Sequence, residues 1–426
     1  MRVVIVNESL PYPADAGNRI RTLNLMLRLA ARHEIVYVCR GHDDAPGTAA
    51  ATEYLQDHHI KVVVADRASQ RKRGVRFCAR LAANVFSSVP YAAASHNSFA
   101  VRTMVQTLAR EQRADLFQFE WLAYADALPP GAKCRSLVMA HNIESLIWQR
   151  YCENEPNALR RLYLRQQWRK FMSYERSLLR RADGVVCVSR EDARLASELF
   201  DLRQTWVVEN GIDRPFFEQA KGPREEQTIL FLGSLDWRPN QDAIRLLLTQ
   251  LFPELRRQRP QAKLWLVGRK PPDWLRRAAI ESPGVHLFAD VPDVRPYLAS
   301  ATVMAVPLRI GGGSRLKILE AMACGLPVVS TEVGCEGLTV QSGRDLLVRE
   351  VPRFAPALLW AIGNPGAMQQ MAQTAKRLAL QQYDWDVLAD RLECVWEKLL
   401  RQDADEVGQK VIRMDVPLDV AVDVDT

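Results

Sequence analysis

Residues 303–331 have the sequence VMAVPLRIGGGSRLKILEAMACGLPVVST, which predicts a complete strand–helix–strand unit. The apolar run at 303–308 predicts a strand, a helix follows over 314–323, and residues 327–330 predict the next strand. Parallel strands need a crossover connection of this kind, because a tight hairpin joins only antiparallel strands. The stretch therefore predicts an α/β fold in which helices cover a parallel sheet.

The turn inside this unit has the chemistry of an anion-binding site. Three consecutive glycines at 311–313 let backbone N–H groups approach a ligand, and the start of a helix attracts anions. Arg315 and Lys317 add two cations, which suits a diphosphate. Glu320 lies one turn further, where a carboxylate can accept hydrogen bonds from ribose hydroxyls. The turn predicts a nucleoside-diphosphate site; the alternative is a glycine-rich turn with solvated charges.

The same alternation of strands and helices occurs in both halves of the chain. In the first half it predicts strands at 2–7, 34–39, 61–65, 116–120, 136–140 and 184–188, and helices at 18–32, 96–112, 142–181 and from Ser189. In the second half it predicts strands at 228–232, 263–267, 286–288, 303–306 and 327–330, and helices at 241–257, 272–280, 293–299, 314–323 and 366–401. A hinge is expected near 205–225, where Asn210 and Gly211 form a turn signal.

Length and composition fit a folded protein of two domains. The chain has 426 residues, of which 48% are hydrophobic and 25% charged. No apolar run reaches the ~18 residues that a membrane span needs, and the apolar core of the N-terminus is shorter than that of a signal peptide. Eight cysteines form no C-x-x-C pair and no zinc spacing with histidines. We therefore expect a reduced, cytoplasmic protein without a structural metal.

The formal charge of +7 permits anionic partners. Basic residues are concentrated at 67–80 and 160–181, both in the first half. Either group could be a solvated helix face or a surface that meets a membrane. We expect no nucleic-acid partner, because the basic groups lack interleaved aromatic residues beyond Trp168, Phe171 and Tyr174, and no RNA- or DNA-binding module is recognisable.

Four segments carry a resemblance to a known family. They are PYPADAGNRIR (11–21), MAHNIES (139–145), VVENGID with ILFLGSLDWRPNQDAIRLLL (207–213 and 229–248), and the stretch at 311–331. Together they resemble the GT-B fold glycosyltransferases of family 4, a large retaining group also called glycosyl transferases group 1. The resemblance covers about residues 1–400. It implies two Rossmann-like, doubly wound domains that face a cleft.

The resemblance assigns each part of the chain a place in this architecture. Residues 1–206 are expected to form the N-terminal, acceptor-side domain, and 207–380 the C-terminal domain that binds a nucleotide sugar. Residues 381–401 are expected to form a helix that crosses back to the first domain. Residues 402–426 are acidic and lack helical periodicity, so we expect a tail of low order.

The resemblance also implies the reaction, a retaining transfer of a sugar from a UDP- or GDP-linked donor without a metal or other cofactor. Glu320 matches the second glutamate of the family's paired-glutamate motif, which binds ribose. The first glutamate would fall at Gly312, where this sequence departs from the pattern. Its contacts to the donor sugar are expected instead from backbone N–H groups, those of Gly311, Gly312, Gly313 and Ser314.

Other candidates follow strands at the expected cleft. Lys317 and Arg315 are expected to bind the diphosphate, with Gly17, Gly233 and Arg238. Asn18 and Arg19 could add donors beside Gly17. The alternative for Gly17 is a glycine that only begins a helix and binds no ligand. The alternative for Arg238 is a surface arginine.

Two further groups of candidates concern the sugar, the acceptor and the base. His141 is expected to hydrogen-bond the donor sugar, with a satisfied core histidine as the alternative. Glu120 and Glu144 are candidates for positioning or deprotonating the acceptor. Base recognition is expected from Arg269, which follows a strand, and from the backbone around Asp290 and Val291.

The expected acceptor is lipid-linked or a polysaccharide, and we expect the protein at the inner face of a membrane, with an anionic surface as a partner. Two other functions remain open on the sequence alone. One is a nucleotide-sugar epimerase. The other is a homologue that binds a nucleotide or glycan but has lost catalysis, which the missing glutamate at Gly312 suggests.

Overall fold

The computed structural model describes residues 1–14, 17–42, 44–65, 75–202, 204–310 and 316–414, the last of these, 402–414, as backbone only. The described chain contains a seven-stranded and a six-stranded parallel sheet. The prediction of two doubly wound α/β domains is confirmed.

The first sheet is buried on both faces. Its strands are β1 (Arg2–Ser9), β2 (Glu34–Arg40), β3 (Ile60–Val64), β4 (Leu116–Phe119), β5 (Arg135–Ala140), β6 (Gly184–Cys187) and β7 (Thr205–Val207), in the order β3-β2-β1-β4-β5-β6-β7. Val3 and Ile5 of β1 point into one core, whereas Val4 and Val6 point into the other. Side chains alternate along a strand, so an uninterrupted apolar run is what a strand covered on both sides requires.

Nine described helices lie between the strands of the first sheet: α1 (Gly17–Leu29), α2 (Ala45–Asp57), α3 (Val75–Asn84), α4 (Tyr91–His96), α5 (Phe99–Arg110), α6 (Leu122–Ala125), α7 (Glu144–Glu153), α8 (Ala158–Arg181) and α9 (Arg190–Phe200). The single helical stretch expected at 142–181 is two helices, since Pro156 disfavours a helical residue before it. Asn157 then caps α8 by accepting the N–H of Arg160 at 3.0 Å. Ser189 caps α9, as predicted.

The second sheet repeats this topology with one strand fewer. Its order is β10-β9-β8-β11-β12-β13. The strands are β8 (Thr228–Leu232), β9 (Lys263–Gly268), β10 (Val285–Ala289), β11 (Val303–Val306), β12 (Val328–Ser330) and β13 (Leu347–Val348). In both sheets the strand order reverses, between β1 and β4 and between β8 and β11. The loops that follow these strands open a crevice, which is where such sheets bind ligands.

The helices of the second half are α10 (Arg214–Glu218), α11 (Arg238–Leu246), α12 (Phe252–Gln258), α13 (Asp273–Glu281), α14 (Arg295–Ser300), α15 (Leu316–Ala323), α16 (Glu332–Cys335), α17 (Phe354–Gly363), α18 (Pro365–Gln382) and α19 (Trp385–Met414). A π-helical turn, Leu247–Leu251, joins α11 to α12, and a short 3-10 helix, Val351–Arg353, precedes α17.

Helix α19 packs on the first sheet although it follows the second sheet in the chain. Trp385, Leu388 and Trp396 are fully buried in the core that β1, β2 and α1 form. The helix continues to Met414 and so extends into the segment 402–426, for which low order stays a prediction.

A buried arginine fastens α1 to the linker between the sheets. The Arg21 guanidinium is fully buried and donates to the carbonyl oxygens of Val208 (2.8 Å) and Glu209 and to Asn210 Oδ1 (3.1 Å). Burial lowers its pKa to about 10, against the opposing effect of nearby Glu120 and Glu209, so the group stays charged at neutral pH. The position of α1 is thereby tied to the linker.

The packing of α19 on the linker gives a test of stability. A Cβ atom at Gly211 would lie 2.7 Å from Leu388 Cδ1 and from ring atoms of Trp385. We expect Gly211→Ala to destabilise the protein by about 1–3 kcal/mol, the range for overpacking a core, and to lower the thermal midpoint by several degrees. Gly366→Ala is the matched control because a Cβ there meets nothing within 4 Å. Equal midpoints for the two variants would contradict the packing.

Candidate functional site

Two helices begin opposite each other where the two sheets face. A Cβ atom at Gly17, the first residue of α1, would lie 3.2 Å from Leu316 Cδ1, and Leu316 is the first residue of α15. The N-terminal end of a helix carries unpaired N–H groups and a partial positive charge. The two helix starts together create a positive region. It lies between the points at which the strand order of each sheet reverses, which we call the switch points. Beside it, Arg19 Nη2 donates to Ser9 Oγ at the end of β1 (3.3 Å).

Lys317 places its ammonium group at the end of β8. Its Nζ donates to Asn240 Oδ1 at 2.8 Å and lies 4.7 Å from the centre of the Phe231 ring. Gly233 follows β8, and a Cβ atom there would lie 2.8 Å from both Lys317 Nζ and Asn240 Nδ2. No larger residue fits at Gly233 while the lysine holds this position. The structure thus brings together two residues predicted for one ligand, and it adds Asn240.

Glu320 lies one turn after Lys317 on α15 and is partly buried. Burial raises its pKa to about 7, although the charge of Lys317 opposes the shift. Such a carboxyl group exchanges its proton easily at neutral pH. Hydrogen-bond donors from a ligand would stabilise its ionised form.

The residues predicted to recognise a base lie at the ends of β9 and β10. Arg269 Nε donates to Ser234 Oγ at 3.1 Å, next to Gly233. Asp290 Oδ1 accepts the N–H of Lys270 at 2.8 Å, so this carboxylate fixes the loop after β9. Val291 packs against the core of the second sheet. Arg269 is therefore the one of the three whose side chain lies beside Gly233.

Arg238 contacts the other half of the protein. Its guanidinium lies 4.3 Å from the centre of the Tyr151 ring and pairs with Glu155 Oε2 at 3.3 Å. Both partners belong to the first half, where α7 ends. This placement favours a contact between the domains over the predicted contact with a diphosphate, and the partners were unknowable from sequence because they lie some eighty residues away.

Two further contacts join α7 and α8 to the second domain. Arg150 forms a bidentate pair with Glu336 at 2.8 and 2.6 Å, and both side chains are mostly buried. Ile310 packs with Ile147, Tyr151 and Leu164. The residue just before the glycine-rich turn is therefore anchored in the first domain. No motif in the sequence indicates these contacts.

Five of the predicted residues fall in one gap. Gly311, Gly312, Gly313, Ser314 and Arg315 lie outside the described residues. Their role as anion-binding residues stays a prediction. The described residues on either side, Ile310 and Leu316, contact the first domain.

His141 follows β5 and pairs with Glu120, which follows β4. The distance from His141 Nε2 to Glu120 Oε2 is 3.1 Å. Glu120 is almost completely buried and also accepts hydrogen bonds from Thr22 and Gln118. Burial would raise its pKa, but hydrogen bonds from His141 and Gln118 outweigh this and hold the pKa of Glu120 below its ordinary value. The expectation that Glu120 meets an acceptor needs correction, because its oxygens are occupied inside the protein.

Glu144 begins α7 at the same edge of the first sheet. Its Oε1 accepts the indole N–H of Trp121 at 3.1 Å, and burial raises its pKa to about 7. His96 lies edge-on to Trp121 and pairs with Glu8 at 3.2 Å. Glu144 therefore stands in a cluster with an aromatic ring and a second carboxylate, which suits a polar acceptor.

The buried carboxyl group of Glu175 holds the backbone of Glu144 in place. Glu175 on α8 accepts the backbone N–H groups of Glu144 (2.7 Å) and Ser145 (2.8 Å), so it caps α7 from another helix. Burial raises the pKa of Glu175 to about 8, because its hydrogen bonds only partly offset desolvation. A cap of this kind leaves no local sequence signal.

Comparison with known proteins identifies the class to which this fold and site belong. Residues 17–215 match the model described as "Glycosyltransferase Family 4", and residues 226–364 match "Glycosyl transferases group 1". The chain belongs to the family 4 glycosyltransferases.

Individual relatives are distant. The chain is 28% identical over 238 residues to a glycogen synthase of Mycobacterium tuberculosis, covering 52% of this chain and 55% of that protein. It is 28% identical over 218 residues to a phosphatidyl-myo-inositol mannosyltransferase of Mycolicibacterium smegmatis, covering 46% of this chain and 55% of that protein. These matches span only about half the length of the curated relatives.

The fold has a full-length counterpart among solved structures. A sucrose-phosphate synthase from Thermosynechococcus elongatus superposes with a TM-score of 0.69 at 18% identity, over 94% of this chain and all of that one. The predicted GT-B architecture is confirmed.

The described residues contain neither a metal-binding cluster nor a helix suited to span a membrane. No group of three or more histidine, cysteine, aspartate or glutamate side chains in the described ranges could hold a metal ion. None of the described helices combines the length and apolar character required to cross a bilayer.

The buried cap predicts a particular pH dependence of stability. Because the folded-state pKa of Glu175 is raised, the folded protein holds a proton that the unfolded chain releases, so stability is lost as pH rises toward and through about 8. Glu175→Gln stays neutral. We expect the thermal midpoint of this variant to rise relative to that of the wild type as the pH increases from about 6 to about 9. Glu281→Gln, at an exposed position, is the control; parallel curves for all three proteins would contradict the raised pKa.

Proposed function

We propose that this protein transfers a sugar from a nucleotide-diphosphate sugar to an acceptor hydroxyl, with retention of configuration at the anomeric carbon. Family membership supports the reaction class. The observation that carries the proposal is the meeting of two helix starts with Lys317 at the switch points of both sheets. A diphosphate is the ligand that such a positive region accommodates best.

The diphosphate gains negative charge as the bond to the sugar breaks. Fixed N–H groups and an ammonium group therefore stabilise the transition state more than the ground state. The two helix starts and Lys317 supply this here, and the predicted contribution of residues 311–315 would add to it. We propose that the reaction needs no metal or other cofactor, because these groups occupy the place where a metal would neutralise the diphosphate.

The rest of the nucleotide is assigned by position. Glu320 binds the ribose hydroxyls, and Arg269 lies at the base end, beside Ser234. A ribose hydroxyl that donates to Glu320 favours the ionised carboxylate, so binding would lower a pKa that stands near 7 in the free protein. The donor is UDP- or GDP-linked.

The acceptor approaches over the first domain. His141 contacts the donor sugar, and Glu144 with Trp121 orients the acceptor hydroxyl. The acceptor oxygen forms its bond to the anomeric carbon on the face from which the diphosphate departs. The carbon–oxygen bond to the phosphate breaks, and the leaving phosphate oxygen takes the hydroxyl proton. Closure around Arg150–Glu336 and Arg238–Tyr151 excludes water from this step.

The donor site is tested first by binding and then by turnover. Thermal shifts with a panel of UDP- and GDP-sugars identify the donor, since a ligand that binds only the folded state raises its midpoint. With that donor and a glycan or lipid-linked acceptor, we expect Lys317→Ala and Glu320→Gln each to lower turnover by about two orders of magnitude, the scale for losing a preorganised electrostatic group.

Lys263→Ala is the control, because this lysine pairs with Glu225 on the surface. Near-wild-type rates for the Lys317 and Glu320 variants would remove their roles. Binding of a nucleotide sugar without any release of diphosphate would identify an inactive homologue. Isomerisation of the donor sugar without an acceptor would identify an epimerase.

We also propose that the acceptor lies at an anionic membrane surface on the cytoplasmic side. Helix α8 carries four exposed arginines whose side chains make neither an ion pair nor a hydrogen bond with any described residue: Arg160, Arg161, Arg165 and Arg169. Among them Leu159 and Leu162 are 81% and 67% exposed, and Phe86 after α3 is 93% exposed. Apolar side chains surrounded by arginines are typical of a surface that inserts between anionic headgroups.

These apolar residues form one patch beside the cleft. Leu159, Leu162 and Gln166 share a face of α8, and Gln166 Nε2 donates to the carbonyl of Val85, next to Phe86 (2.8 Å). The same helix contributes Leu164 to the contact with Ile310. A lipid-linked acceptor held at this patch would therefore enter the cleft without leaving the bilayer.

Vesicle flotation tests the patch. We expect the protein to bind vesicles that contain phosphatidylglycerol, and binding to weaken with salt. Each of Arg161→Gln and Arg165→Gln should weaken binding about fivefold, since a basic residue at an anionic surface contributes about 1 kcal/mol. The triple change Phe86→Ser, Leu159→Ser and Leu162→Ser should abolish it. Ile280→Ser is the control, being 87% exposed on the other domain; equal binding by the triple variant and the control would contradict the proposal.

A further inference from the structure

We propose that Glu120 is a positioning residue that fixes the ring of His141, and that the C-terminal helix α19 sets the position of Glu120 through Gln118 and Trp396. This inference deepens the proposed function and rests on it for the part that His141 plays toward the sugar. The hydrogen bonds that hold Glu120 and His141 are present in the protein without a ligand.

A continuous series of hydrogen bonds links α19 to the cleft. The indole N–H of Trp396 donates to Gln118 Oε1 at 2.8 Å, and Gln118 Nε2 donates to Glu120 Oε1 at 2.6 Å. All three side chains are almost completely buried. The Gln118 amide has only one orientation that satisfies both neighbours, because its oxygen must face the indole and its nitrogen the carboxylate.

The second oxygen of Glu120 holds the histidine. Glu120 Oε2 accepts from Thr22 Oγ1 at 2.9 Å and faces His141 Nε2 at 3.1 Å. The carboxylate is therefore fixed by donors from three elements: α1, β4 and the loop after β5. The buried guanidinium of Arg21, one residue before Thr22, adds a positive charge that favours the ionised carboxylate.

An ionised carboxylate can only accept hydrogen bonds, so the hydrogen of the His141 ring must be on Nε2. The other ring nitrogen, Nδ1, makes no hydrogen bond with any described residue, and the side chain is 17% exposed. In the neutral ring, Nδ1 is then a hydrogen-bond acceptor that no described residue uses. His141 would recognise a sugar hydroxyl as a hydrogen-bond donor, and Glu120 would keep the ring in that form.

The link to α19 gives the C-terminal helix a part in the site. Gln118 and Trp396 are 278 residues apart in sequence, and they meet only when α19 packs on the first sheet. Without the indole, the Gln118 amide would lose the partner that prevents it from turning. Its nitrogen would then no longer face Glu120 reliably, and the carboxylate would lose one of its donors.

Two tryptophans of α19 provide a matched comparison. Trp385 and Trp396 are both fully buried in the same core, but the indole N–H of Trp385 finds no hydrogen-bond partner among the described residues. Trp396→Phe and Trp385→Phe therefore remove similar ring volume from the same helix. Only the first removes a hydrogen bond to Gln118.

The experiment uses the full-length protein with 15N-labelled histidine, and nitrogen NMR reports which ring nitrogen of His141 carries the hydrogen; His141→Gln assigns the signal. In wild-type protein at mildly alkaline pH we expect the hydrogen on Nε2 alone. In Glu120→Gln the amide can donate as well as accept, so we expect a mixture of both tautomers. Trp396→Phe should show partial mixing, and Trp385→Phe should match the wild type.

Kinetics with the identified donor give a second measurement. We expect Glu120→Gln to lower kcat/KM about 10- to 100-fold, by analogy with the loss of a carboxylate that orients a metal-bound imidazole. The affinity for free UDP or GDP should stay within about twofold, because the proposed nucleotide contacts lie on the other domain. Trp396→Phe should lower kcat/KM several-fold more than Trp385→Phe.

A single Nε2 tautomer in Glu120→Gln would overturn the role of Glu120. Identical spectra and rates for the two tryptophan variants would overturn the link to α19. If the wild-type protein transferred no sugar from any donor, the proposed function would fail, whereas the tautomer measurement would still decide the positioning of His141.

Discussion

The buried guanidinium of Arg21 is the interaction on which the geometry of the cleft depends. It holds α1 against the linker by donating hydrogen bonds to oxygen atoms of Val208, Glu209 and Asn210. A charge in this position is retained only because backbone oxygens surround it, since an unpaired buried cation is costly. Helix α1 in turn presents Gly17 to the second domain and Thr22 to Glu120. One helix thus connects the linker, the contact with the start of α15 and the support of His141.

Four carboxyl groups near the cleft show how surroundings decide the chemistry of one residue type. Glu120 accepts several hydrogen bonds, which hold its pKa below the ordinary value despite burial. Glu144 and Glu320 are desolvated with fewer donors, and the pKa of each rises to about 7. Glu175 caps a helix in a buried place, where its pKa rises to about 8. A fixed acceptor, two groups able to exchange protons and a structural cap therefore arise from identical side chains.

Much of the fold could be predicted because it rests on local patterns. Apolar runs separated by helical periodicity gave the central strands of both sheets within a few residues, since buried parallel strands must be apolar on both faces. The edge strands β7 and β13 have only three and two residues, so no such run marks them. Ser189 was predictable as a cap because the signal lies in the same turn, whereas the cap at α7 comes from Glu175, about thirty residues away.

The sequence by itself determined the class of fold, the family, and the candidates Lys317, Glu320, Gly233 and His141, because each follows a strand in a segment whose spacing is local. Only the tertiary structure decided which partners these residues have. Arg238 contacts the ring of Tyr151, Glu120 pairs with His141, and Trp396 donates a hydrogen bond to Gln118. Such contacts join positions tens to hundreds of residues apart. They depend on how two sheets and the last helix pack together, and no pattern within a single segment records that packing.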